Sequence, residues 1–71
     1  SIPEEFHKIL NHIEKHGVIT ETSLINMLGS GSQGARKSRK FASNIEEWLI
    51  YLPFKIEITT TNEGKTYRKV N

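Results

Sequence analysis

Cysteine and aspartate are absent from these 71 residues, proline occurs twice, and methionine and tryptophan once each. Without cysteine there is no disulfide scaffold and no thiolate zinc site, so stability has to come from packing. No G-x-S-x-G or G-x-x-x-x-G-K-[ST] string occurs, and the chain offers no candidate catalytic constellation. No enzymatic role is expected of this segment. No apolar run approaches 18 residues, so no membrane-spanning helix is expected. Residues 1–5 lack the positive start and apolar stretch of a signal peptide. These absences make an intracellular location, cytoplasmic or nuclear, the default. There is no initiator Met, and residues 1–71 read as one domain cut from a longer protein. At 8.1 kDa the chain can form one thin core but no large enclosed cavity, so no small-molecule substrate is expected.

The charge is modest in sum and uneven in place. The net charge is +2. Residues 1–30 carry Glu4, Glu5, Glu14 and Glu21 against Lys8 and Lys15, a net of −2. Residues 31–71 carry eight cations against four Glu, a net of +4. Seven of the ten cations fall in two short segments, residues 36–40 and residues 65–69. Two cationic segments on one small domain suit a polyanion, although solvated faces have the same composition.

Hydrophobic spacing predicts three helices and a hairpin. Phe6, Ile9, Leu10 and Ile13 fall at i, i+3, i+4, i+7, a helix over about 3–16. Ser1 with Glu4 has the form of a capping box, Pro3 suits the first turn, and Gly17 is the left-handed stop. Val18 and Ile19 form a short apolar link or a two-residue strand. Thr20 caps a second helix whose buried stripe is Leu24, Ile25 and Leu28, ended by Gly29. Residues 29–34 contain a G-x-G-x-x-G string, but no strand precedes it, so it reads as a flexible connector and no cofactor is expected. Phe41, Ile45, Trp48, Leu49 and Leu52 give a third helix over about 37–52, terminated by Pro53. The period then changes to two. Phe54, Ile56 and Ile58 alternate with Lys55, Glu57 and Thr59 in one strand, and residues 65–70 return as a second after a loop of four or five residues.

Helix, apolar link, helix, connector, helix and hairpin is an order that resembles the winged helix family, over nearly the whole chain. Gly17, Ile19, Thr20, Leu24, Leu28 and Gly29 carry the local resemblance at the start and end of the second helix, and Lys65, Tyr67 and Arg68 are similar to a wing's return strand. The implied fold is α+β, a three-helix core with a C-terminal β-hairpin wing. The connector from about Ser30 to Lys37 is longer than the three or four residues of tight helix-turn-helix units. The resemblance implies binding of nucleic acid, duplex DNA first. The third helix would then present Arg36, Lys37, Arg39, Lys40, Ser43 and Asn44, and the wing Asn62, Lys65 and Arg68. Arg36 or Arg39 and Asn44 suit base edges, Lys37 and Lys40 suit phosphates, and loop N–H groups from Gly31 to Gly34 could receive another. This expectation places the basic start of the third helix and the return strand side by side as one positive ledge. Winged helices also dock onto other subunits or onto the rest of their own chain. That alternative expects an exposed apolar patch around Ile50, Tyr51 or Met27, and Glu46 and Glu47 on the third helix favour it. His12 and His16 stand at a metal-compatible i, i+4 spacing, but no third ligand is in reach, so they read as surface histidines and no metal is expected.

Overall fold

Gly17 decides the first change of direction in the chain. In the computed structural model, which describes residues 1–29 and 31–70, it takes φ 87° and its N–H bonds to the Ile13 carbonyl at 2.7 Å, closing helix α1 (His7–His16). A 3-10 turn over Glu4–Phe6 leads into α1. The expected cap at Ser1 does not form, because the N-cap position is Pro3, whose side chain cannot accept a hydrogen bond. Its carbonyl accepts the Phe6 N–H at 3.0 Å instead. After Gly17 the chain runs straight into β1 (Val18–Thr20). Thr20 then caps α2 (Glu21–Leu28) as its residue type predicts, its Oγ1 accepting the Ser23 N–H at 3.2 Å.

The next element corrects the sequence reading. Helix α3 spans Gly31–Trp48, so its first six residues occupy what composition marks as a loop. The cause is tertiary. Gly34 lies buried where α3 crosses α2, and a Cβ there would sit 2.6 Å from the Gly29 carbonyl oxygen and 2.7 Å from that of Ile25. Glycine at this position is what lets the two helices approach so closely. The connection between them is therefore as short as in tight helix-turn-helix units. At its other end α3 gives way to a 3-10 turn, Leu49–Tyr51, before Leu52 becomes extended ahead of Pro53. That change of pitch leaves Ile50 and Tyr51 on the outside, 81% and 65% exposed.

Strands β2 (Lys55–Thr61) and β3 (Gly64–Val70) form the hairpin. Thr61 pairs with Gly64, so the loop is the two residues Asn62 and Glu63, shorter than expected, with Gly64 at φ 107°. The sheet order is β1-β3-β2, all antiparallel. Ile19, Tyr67 and Ile58 lie level across the three strands on the inner face. The helices cover that face. Phe6, Phe41, Trp48 and Tyr67 form the aromatic heart of the core, with Phe41 touching all three others at ring separations of 5.0 to 5.8 Å. Trp48 is thus a core residue. The fold is α+β, three helices followed by a hairpin that β1 completes to a three-stranded sheet, an arrangement compatible with a winged-helix-like one. No helix among the described residues is long and apolar enough to cross a membrane.

Candidate nucleic-acid interface

Helix α3 buries Gly34, Ser38, Phe41, Ile45 and Trp48. With 3.6 residues per turn, that stripe turns Arg36, Arg39, Lys40 and Ser43 to the exposed side, where all four lie. The cations divide into two flanks. Toward α1, Lys37 Nζ is 3.8 Å and Lys40 Nζ 3.9 Å from the two carboxylate oxygens of Glu5. Lys40 Nζ also stands 5.9 Å from the centre of the Phe6 ring. On the outer face, Arg36 donates to Gln33 Oε1 at 2.9 Å. Toward the sheet, Arg39 lines a groove with Ser38, Ala35 and Ala42 of α3, Glu21 and Ile25 of α2, and Lys65 of β3. Arg36 and Arg39 make no salt bridge among the described residues, so their charge is uncompensated at short range.

Ser43 and Asn44 are turned back on their own helix. Ser43 Oγ donates to the Arg39 carbonyl at 2.9 Å and Asn44 Nδ2 to that of Lys40 at 2.8 Å. Gly31 to Gly34 are not a free loop but the first turn of α3, and Gly34 is buried against α2.

The hairpin cations separate by strand alternation. Tyr67 faces the core, so Lys65 and Lys69 share its side of the sheet and Arg68 takes the other. Arg68 lies level with Glu57 of β2 and Val18 of β1 on that far face. Lys65 alone joins the α3 cations. Its Nζ donates to Thr60 Oγ1 at 3.2 Å, and Asn62 stands exposed at the hairpin tip. Lys69 is occupied elsewhere, reaching the Glu14 carbonyl at 3.4 Å and lying 5.7 Å from the Phe54 ring centre. The expected single ledge is therefore narrower: Arg39 and Lys65 share one groove, Arg36 and Lys40 lie farther round the exposed side of α3, and Arg68 is on the far face of the sheet.

Two carboxylates that position this face carried no signal in the sequence. Glu5 contacts Lys37 and Lys40 from the 3-10 turn before α1. Glu21, at the first position of α2, accepts the backbone N–H of Lys65 at 3.0 Å and so ties the base of the hairpin to α2. A Cβ at Gly64 would meet the same carboxylate at 3.0 Å. Burial, and secondarily the charge of Glu21, push the Tyr67 hydroxyl up from 10.0 to about 12, so it is neutral near pH 7. His12 and His16 pack side by side on α1 with ring centres 4.5 Å apart and planes tilted by 47°.

The chain matches no family model, no curated protein and no solved structure.

Proposed function

We propose that this chain is a non-catalytic winged-helix domain that binds duplex DNA through the exposed face of α3 and the near side of the hairpin. The observation that carries this reading is the grouping of Arg36, Arg39 and Lys40 on one helix face, with Lys65 across the groove from Arg39. An α-helix with its side chains is about 10–12 Å wide and fits a major groove of about 12 Å. Arg36 and Arg39 then meet base edges, where a guanidinium spans guanine O6 and N7. Asn44 serves adenine once its amide leaves the Lys40 carbonyl. Lys37, Lys40 and Lys65 neutralise backbone phosphates, and Asn62 touches the backbone from the hairpin tip. Arg68, on the far side of the sheet, has no place in this contact.

The test is duplex binding followed against salt. Phosphate contacts by three lysines give a log–log slope of about −2.7. An R36A/R39A/K40A variant that keeps its circular dichroism should lose most of the affinity. Equal binding by that variant, or no salt-sensitive binding by the parent, sinks the reading. A second reading, docking onto another subunit or the rest of its own chain, is favoured by the exposure of Ile50 and Tyr51. It expects duplex to leave the amide resonances of α3 and the hairpin unmoved.

A further inference from the structure

The exposed face of α3 has an order that duplex binding does not use. Arg36, Arg39 and Lys40 occupy its first half and Glu46 and Glu47 its second, Ser43 stands between them, and Ile50 continues the face into the 3-10 turn; all seven are exposed. Carboxylates on this face repel phosphate, and Ile50 at 81% exposure has no polyanion to meet. The sequence of charges is, however, its own complement under a two-fold rotation. When two copies of α3 lie antiparallel with their Ser43 residues opposed, Arg39 of each meets Glu46 of the other on one flank of the contact. Lys40 then meets Glu47 on the other flank, and Arg36 is level with Ile50. Position 36 lies seven residues, about 10.5 Å, from position 43, and position 50 about 1 Å farther on the other side, because its last two steps are 3-10. This is the self-matching pattern that an isologous interface requires.

We propose that the exposed face of α3 is a self-recognition surface on which a second copy of this chain packs antiparallel. Four opposite-charge pairs form across the dyad, and the small Ser43 lets the helix axes approach. Its hydroxyl is already bonded to the Arg39 carbonyl, so the crossing leaves no unmet donor there. Ile50 of each copy is covered by the aliphatic stem of Arg36 of the other, with Tyr51 beside it. The antiparallel arrangement also opposes the two helix dipoles. Because the cations are shared, a second copy and a duplex compete for the same face.

Sedimentation equilibrium over a wide concentration range tests this without nucleic acid, so the result stands apart from duplex binding. The parent should associate reversibly, and more weakly at high salt. R39E and E46R each place like charges opposite one another and should each weaken association about tenfold or more. Mixing the two variants restores opposite charges in a mixed pair, and the double variant R39E/E46R should regain the parent's association within about threefold. Both positions are exposed, and circular dichroism checks that the variants fold. A parent that stays monomeric throughout overturns the proposal, as does association that neither single variant weakens or that the double variant fails to restore.

Discussion

Replacing Gly34 with alanine separates two opposed accounts of the segment before Arg36. If residues 29–34 were a free linker, alanine would be neutral or would stabilise by about 0.4–1 kcal/mol, by restricting the unfolded chain. In the structure the added methyl would sit 2.6 Å from one backbone oxygen, 2.7 Å from a second and 2.8 Å from Ile25 Cγ2. None of the two backbone atoms is a flexible side-chain end, so α2 and α3 must part by several tenths of an ångström. Forced overpacking of this kind costs about 1–3 kcal/mol, and here it lies at the upper end because backbone must move. Alanine returns up to about 1 kcal/mol through helix propensity. The net loss is about 2 kcal/mol, which in a domain of this size lowers Tm by about 8–16 °C. Thermal melts by circular dichroism, with urea unfolding to check that the m-value is unchanged, measure it. Gly31 is a control: its φ is +60° with open space around it, so G31A should cost only about 1 kcal/mol of backbone strain. A G34A variant that melts at or above the parent's temperature refutes the close crossing of α2 and α3.

Three further outcomes follow from named contacts. Tyr67 has a folded-state pKa of about 12 against 10.0, so its contribution is complete below pH 10 and is lost as pH rises toward 12. Urea midpoints from pH 9 to pH 12 should show a fall of about 2–3 kcal/mol that Y67F lacks. T20A removes the acceptor for the Ser23 N–H and should destabilise by about 1 kcal/mol in chemical denaturation. E5Q releases Lys37 and Lys40 and should change stability by less than about 0.5 kcal/mol, because both contacts are long and partly exposed. The same variant should raise duplex affinity, measured by fluorescence anisotropy, and steepen its salt dependence.

What could be read from the sequence was whatever local spacing encodes. The stripes of α1 and α2, the Gly17 stop, the Thr20 cap and the period-two strand all follow from neighbours in sequence. The first turns of α3 do not. Gly31 to Gly34 have loop composition, and only the approach of Ile25 and Gly29 makes glycine the helical choice at position 34. The pairing of β1 with β3 joins residues about fifty positions apart, and no local pattern announces it. Of the candidate site, Arg36, Arg39 and Lys40 share the exposed side of α3 as their helical spacing dictates, and Lys65 lines a groove with Arg39. The place of Arg68 was legible too: three residues from Lys65 in a strand is an odd step, which puts the two on opposite faces. The contact of Glu5 with Lys37 and Lys40 joins the turn before α1 to α3, beyond any spacing argument.

The middle strand of the sheet is the last to be made. β1 lies between the first two helices and β2 leads the hairpin, yet neither pairs with the other, and both wait for β3. On a ribosome the helices can begin to collapse while residues 64–70 are still inside the exit tunnel, but no ladder can close until they emerge. Until then Ile19 and Ile58 have no Tyr67 to sit beside, and the inner face stays open to other chains. A nascent chain stalled short of position 67 would expose that surface for as long as the stall lasts.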